Sequence, residues 1–151
     1  MTRAYDLILK KLDKITYEII EHQKITNAEE GLEIFKEKNC FKTLAFQNKD
    51  TIYLVLLQAD DKLDYKKLAN YLEINRSNIK KVDISLLEKY GYDYGSVGPI
   101  PINSKMISII DNKLLEYEEI ICGIGINTKS LKIKTNDLLK ISEGNIVEIR
   151  R

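Results

Sequence analysis

Proline, histidine and cysteine are scarce in this chain: of 151 residues, two are proline, two are cysteine and one is histidine. The two cysteines, Cys40 and Cys122, form no CxxC pair. With His22 as the single imidazole, they cannot build an ordinary four-ligand zinc site, so no metal or other cofactor is expected. No structural disulfide is expected in a reducing compartment. Long apolar runs are missing as well, and none approaches the ~20 residues that cross a bilayer. The opening MTRAYDLILKKLDK alternates charge with hydrophobe, unlike a signal peptide, so the expected location is the cytoplasm and no membrane partner is expected. Nor is there a surplus of charge: 24 basic residues face 23 acidic ones, for a net +1. That excludes a protein that coats DNA or another long nucleic acid by displacing many counterions, but leaves open a grip on a few phosphates.

What is present is the apolar and charged balance of one globular domain, expected to span residues 1–151. Residues 3–14 carry a broad helical apolar face through Tyr5, Leu7, Ile8, Leu9 and Leu12. A short strand is predicted at Tyr17–Glu21. Thr26 followed by Glu29 has the pattern of a capping box opening a helix through about Lys38. Phe41–Gln47 and Thr51–Gln58 read as a hairpin around Asn48-Lys49-Asp50. Asp64 is placed to cap a helix at Tyr65–Leu72, followed by a strand near Ile79–Val82 and helical turns at Ser85–Tyr90. Further strands are expected at Met106–Ile110, Glu119–Cys122, Leu131–Lys134 and Ile146–Ile149, with a helix capped by Thr135 or Asn136 before the last. Mixed strands and short helices predict an α/β domain with a mixed, strongly curved sheet and not a doubly wound parallel one.

Backbone-restricting residues are gathered in one place. Gly91, Gly95 and Gly98 are three of seven glycines, and Pro99 and Pro101 are the only prolines. Glycine lets a peptide N–H approach a ligand without a Cβ in the way, and proline stiffens the rim. Such a loop can serve as a tight structural turn, or it can present preorganised backbone donors to a developing oxyanion. It is not a phosphate loop, since GxxxxGK[ST] and GxGxxG are absent.

The segment GYDYGSVGPIP at 91–101 resembles the GYxxGxVxP signature of the YbaK/EbsC and prolyl-tRNA synthetase editing-domain family. Phe41-Lys42-Thr43-Leu44 is similar to that family's lysine-bearing KTL strand, and Leu63 to Ala69 to its LDLKKLA helix start. Ile109-Ile110-Asp111, Ile120 to Gly125 and Asn136 to Leu139 resemble further family segments in family order. The resemblance implies a YbaK-like pseudo-barrel of about seven mixed strands with flanking helices. It implies a carboxylic ester hydrolase, an aminoacyl-tRNA deacylase that removes Cys, Ala or Ser from tRNA(Pro). Its partners would be the 3′ end of mischarged tRNA and prolyl-tRNA synthetase. The other outcome on the same fold is a module that binds a tRNA end or a synthetase without hydrolysis.

On that pattern Lys42 is the key side chain, with Gly95, Ser96, Gly98 and Pro99 forming the catalytic loop. Ile20, Ala28, Thr43, Tyr94, Val97 and Gly123 fall at substrate-binding positions. Cysteine-specialised members carry aromatic residues near Ile20 and Ala28, and Ser and Asp near Gly123 and Lys132; this chain has none of the four. Thr43 matches the YbaK type, where free-standing alanine editors have Asn. An aminoacyl ester is labile, so its hydrolysis asks for an oriented water, oxyanion donors and a hold on the terminal nucleotide more than for a strong nucleophile.

Other residues admit plainer readings. His22 reads as a strand-end histidine, and a thiol site pairing Cys122 or Cys40 with His22 lacks an orienting third residue. Tyr90, Tyr92 and Tyr94 share one face if extended and would then stack a base. The lysines between 62 and 81 are interleaved with carboxylates, as on a solvated helix face.

Overall fold

The apolar run at 51–58 lies where both of its faces are covered. In the computed structural model, which describes residues 3–35 and 39–151, it is the strand β3 (Thr51–Gln58), central in a five-stranded sheet. Its neighbours are β2 (Phe41–Asn48), antiparallel across the hairpin, and β5 (Met106–Asp111), parallel. The short β4 (Lys80–Lys81) extends the sheet beyond β2, and β8 (Asn145–Val147) pairs parallel to β5. Alternate residues of β3 serve different cores. Val55 and Leu57 pack with Phe46, Leu63 and Leu68 beneath α3 (Tyr65–Leu72), whereas Ile52 and Leu54 meet Ala4, Tyr92 and Met106.

A second sheet of three antiparallel strands is ordered β1 (Tyr17–Glu21), β7 (Lys129–Lys134), β6 (Glu119–Gly123). The largest core fills the space between the sheets. It combines Ile8 and Leu12 of the N-terminal segment with Phe41, Leu56 and Ile110 of one sheet and Ile120, Leu131 and Ile133 of the other. Ile8 belongs to α1 (Ala4–Lys11). Each such fully buried aliphatic side chain contributes roughly 1.5–3 kcal/mol. The sheets touch through a single parallel bridge, Cys40 to Ile121, beside a 2.9 Å bond from the Ile121 N–H to the Asn39 carbonyl. The mixed α/β character matches the sequence expectation. The strands number eight among the described residues, and they form two sheets with no closed barrel.

Three helix ends differ from expectation for local reasons. α1 stops at Lys11, and Lys14 takes a left-handed φ of 71° as the chain turns into β1. α2 (Ala28–Phe35) is capped one residue later than the Thr26/Glu29 pattern suggests. The Asn27 side chain accepts from the Glu30 N–H at 2.9 Å, and the Glu30 carboxylate reaches back to the Thr26 N–H and hydroxyl. The expected extension to Lys38 falls on residues 36–38, outside the described residues. α5 (Thr135–Ser142) has no side-chain cap at Lys134, and the Thr135 hydroxyl donates instead to the Tyr117 carbonyl. α4 (Ile84–Lys89) is capped by Asp83, and α3 by Asp64 as expected.

The chain end is fastened by one carboxylate. Asp111 is fully buried at the end of β5 and accepts from the Ile149 N–H at 3.0 Å, the Arg150 guanidinium at 2.9 Å and the Lys113 N–H at 3.2 Å. Removing it strands buried donors, which costs more than the bonds themselves are worth. Asp111→Ala should therefore lower unfolding stability by about 3 kcal/mol in urea titration. A loss below about 1 kcal/mol would show that β8 is held without it.

Candidate functional site

The loop after α4 is seated by contacts too close for any side chain. A Cβ on Gly98 would lie 2.0 Å from the Gly123 carbonyl oxygen, and one on Gly123 would lie 2.7 Å from the Val97 carbonyl oxygen. Gly95, at φ +75°, abuts the Thr26 backbone, where a Cβ would sit 2.4 Å from the carbonyl oxygen. The loop is thus held between the segment before α2 and the end of β6. Asp93 ties its start: the carboxylate accepts from Arg3 at 2.7 Å and from the Asn127 N–H at 3.1 Å, and its N–H donates to the Gly125 carbonyl. The Gly125 N–H returns a 2.9 Å bond to the Ser96 carbonyl.

Ser96 is buried, and its hydroxyl donates to the Asp93 carbonyl at 2.7 Å. Its side chain is therefore a fastening of the loop, with no base beside it to make it a nucleophile. The peptide N–H groups of Gly95, Val97 and Gly98 donate to no protein acceptor among the described residues. The loop thus keeps its donors unspent while its frame is bonded.

Gly95, Ser96 and Val97 line a cavity of about 450 Å³ between the sheets. β2 is paired on its outer edge with β4 only at Phe46 and Gln47, and is bridged to β6 only at Cys40. The stretch between, with Lys42 and Thr43, lines the cavity where the two sheets part. Lys42 is half-buried and forms no ion pair among the described residues. The nearby Asp61 carboxylate is engaged by Lys113 at 3.3 Å. Burial pushes the Lys42 ammonium below the ordinary lysine value of 10.5, partly opposed by the attraction of Asp61 and Asp60, while Lys62 adds to the lowering. The Thr43 hydroxyl oxygen is buried with no hydrogen-bond partner.

Of the residues singled out from the sequence, Lys42, Thr43, Ala28, Tyr94, Gly95, Ser96, Val97 and Gly123 all line this one cavity. Gly98 and Pro99 lie buried behind it, and Gly98 acts through its contact with Gly123. Ile20 is half-buried on β1, opposite Ser130 in the ladder. The three tyrosines do not share a face. Tyr92 is buried in the core with its hydroxyl pushed to higher pKa by burial, Tyr94 stands 56% exposed at the cavity, and Tyr90 ends α4. Cys122 is a buried thiol whose pKa burial pushes far up, and the His22 ring nitrogens face other groups, so no thiol–imidazole pair forms.

The pairing missed from the sequence is His22 with Ser130. His22 Nε2 lies 2.9 Å from Ser130 Oγ, and Nδ1 lies 2.7 Å from the Gln23 carbonyl. Phe35 meets the ring edge-on at 5.6 Å. The two residues are 108 positions apart. They meet only because β1 and β7 pair in that register, a signal no local pattern carries.

A family model described as an aminoacyl-tRNA editing domain matches residues 22–141. A proline–tRNA ligase of a Thermoanaerobacter species is 32% identical over 83 residues, covering 54% of this chain and 15% of that protein. A Ser/Thr-tRNA deacylase of Escherichia coli, ProXp-y, is 29% identical over 99 residues, covering 65% of this chain and 59% of that one. A solved structure proposed to be a trans-editing enzyme for prolyl tRNA synthetase superposes with a TM-score of 0.81 at 18% identity, covering 100% of this chain and 99% of that one. This last likeness concerns the fold. The chain spans only a small part of the ligases it matches and about three fifths of the deacylase.

The loop seat generates a paired test. Gly98→Ala should cost about 1–3 kcal/mol, because two backbones must separate. It should also speed hydrogen exchange at the Gly125 N–H, which the loop protects. Gly31→Ala in α2 meets only Ile25 at 3.9 Å, and should be neutral or stabilising by up to about 1 kcal/mol. Equal melting temperatures for the two variants would contradict the close-contact argument.

Proposed function

The chain belongs to the aminoacyl-tRNA editing domain family, and from that membership we propose that it hydrolyses the ester joining a wrong amino acid to the 3′ end of tRNA. The observation that carries the reading is a combination within one cavity: an ammonium without an ion-pair partner and a rigid loop with unspent peptide donors. Lys42 supplies a positive charge at the mouth between the sheets, where it holds the terminal nucleotide by its phosphate or ribose. The Gly95 and Val97 N–H groups are the donors for the tetrahedral oxyanion, already oriented before the ester arrives. A water attacks the ester carbonyl and the C–O bond to the 3′ oxygen breaks; the water's proton passes, with help from the neighbouring ribose hydroxyl, to the departing 3′ oxygen, releasing the free amino acid.

We take residues 1–151 as the editing unit, its two sheets together making a strongly curved wall around the site. The tRNA is tRNA(Pro), the amino acid is a small one (Cys, Ala or Ser), and the setting is the cytoplasm alongside prolyl-tRNA synthetase. Similarity to prolyl-tRNA ligases supports the choice of tRNA. The charged residues Asp93 and Lys129 at the cavity are paired with Arg3 and Glu21, so the amino acid is distinguished by size and by a few polar groups.

Purified protein given tRNA(Pro) charged in turn with Ala, Ser and Cys should release at least one of them. No release from any would leave a module that only binds the tRNA end. Lys42→Ala should reduce deacylation by at least about 100-fold without loss of melting temperature. Lys42→Arg should do nearly as badly, since a planar fork does not replace a compact ammonium. Ser96→Ala should lose less than about tenfold, because its hydroxyl bonds only within the loop. The charged form of Lys42 is the working one and its pKa is lowered, so the protein-catalysed rate should fall with rising pH before an ordinary lysine would lose its proton. After subtraction of spontaneous hydrolysis, a rate still climbing at pH 10.5 would refute this role.

A further inference from the structure

Ser130 is the polar side chain of the cavity whose hydrogen-bonding sense is dictated by its neighbours. The Gln23 carbonyl can only accept, so His22 Nδ1 carries the ring proton. In the neutral ring Nε2 is then an acceptor, and the Ser130 hydroxyl must spend its proton on it. The Phe35 ring and a 3.0 Å bond from the His22 N–H to the Thr128 carbonyl fix the imidazole in place. Ser130 Oγ therefore offers lone pairs alone, and can receive a donor but not supply one.

The surroundings repeat that sign. Ser130 pairs with Gly123 across the β6–β7 ladder, so the two residues project on the same face of the sheet. A Cβ on Gly123 would point at the Val97 and Ser96 carbonyl oxygens, 2.7 and 2.8 Å away. The loop carbonyls thus cover the face from which Ser130 projects. The Ser96 carbonyl is used by Gly125, but the Val97 carbonyl accepts nothing among the described residues. Directly opposed side chains on one face are roughly 5 Å apart at Cβ. Two acceptors on this one face, the Ser130 hydroxyl and the Val97 carbonyl, suit one cationic group with several N–H donors. Acceptors facing Ser130 make an oxyanion site beside it implausible on electrostatic grounds, which argues against Ser130 as an acylated nucleophile despite its imidazole neighbour.

We propose that Ser130 Oγ, with its proton held by His22, and the Val97 carbonyl form the seat for the free α-ammonium of the esterified amino acid. Ser130 touches the substrate; His22 is a positioning residue that acts through it. The inference rests on the ester-hydrolase reading and deepens it. The ester carbonyl is placed between an ammonium seat at Ser130 and the loop N–H groups, and aminoacyl esters with a blocked amine are excluded. Every α-amino acid presents the same ammonium, so this seat orients the substrate and leaves choice among side chains to the rest of the cavity.

The test separates binding from turnover. The probes are 3′-(alanylamino)-3′-deoxyadenosine, an amide that resists hydrolysis, and its N-acetyl derivative, measured by calorimetry against the full chain. Wild type should bind the free amine about 10- to 100-fold more tightly than the acetylated form. Ser130→Ala and His22→Phe should both reduce that ratio to near unity, with circular dichroism and melting temperature unchanged. On charged tRNA(Pro), Ser130→Ala should lose discrimination against the N-acetylated ester, chiefly through KM. A ratio unchanged in Ser130→Ala, or near unity in wild type, overturns the seat even if deacylation is found. Discrimination abolished by Ser130→Ala with no wild-type deacylation sustains the seat and defeats the hydrolase reading. Mass spectrometry of acid-quenched turnover should find unmodified protein, and an acyl adduct on Ser130 would overturn the assignment in favour of a nucleophile.

Discussion

Everything at the site hangs on the meeting of two backbones, Gly98 against Gly123. The Gly98 Cα and the Gly123 carbonyl are so close that no side chain fits at either position. This contact sets the depth of the loop relative to the three-stranded sheet. It also brings the Ser96 and Val97 carbonyl oxygens against Gly123 at the end of β6. Because Gly95 is pressed against Thr26 in the same way, the loop is located from two sides by elements far apart in sequence. Donors fixed in this manner need not reorganise when charge develops, which is the condition under which backbone dipoles contribute most.

The position of Lys42 follows from a failure of the sheet to continue. Among the described residues, β2 has partners at both ends of its outer edge and none between, because β4 is two residues long and β6 is bridged to it only at Cys40. A lysine in a fully paired central strand would meet a neighbouring strand or helix; here it borders a cavity. No carboxylate forms an ion pair with it among the described residues, since Asp61 is engaged by Lys113 and acts on Lys42 only at longer range. Partial burial disfavours the charged ammonium and pushes its pKa down, and the attraction of Asp61 and Asp60 offsets this only in part. A fold selected for stability alone has no reason to keep it there, whereas a site awaiting an anionic or ester group does.

Much of this was legible in the sequence, and the remainder divides by range. The β2–β3 hairpin, the Asp64 cap and the Gly/Pro loop are local patterns, and they emerged as read. The order of family-like segments also put the loop and Lys42 together, and both line one cavity. The α2 cap was displaced by one residue because Asn27 and Thr26 are both competent caps, and only Glu30 at the third helical position decides between them. Tyr92 looked interchangeable with Tyr94, yet a turn at Gly91, with φ of 91°, sends one into the core and the other outward. Periodicity cannot anticipate that, since it assumes an extended segment. The split into two sheets and the encounter of His22 with Ser130 depend on register between strands over 100 residues apart, where sequence pattern has no reach.

The arrangement also bears on a serine beside an imidazole and a thiol nearby, whose surroundings disfavour both as nucleophiles. Cys122 is so buried that its thiolate is inaccessible in the ordinary pH range, and Ser130 faces carbonyl oxygens where an oxyanion would be repelled. Each group has the chemistry of a nucleophile and the surroundings of something else. For a labile ester the larger gain comes from orientation, with effective concentrations that replace covalent assistance. On the proposed reading, the substrate would be held at three points: its ammonium at Ser130, its carbonyl at the loop donors and its nucleotide at Lys42. The free face of the carbonyl would then be the one open to water, and the backbone of the loop would set the direction of attack before any proton moves.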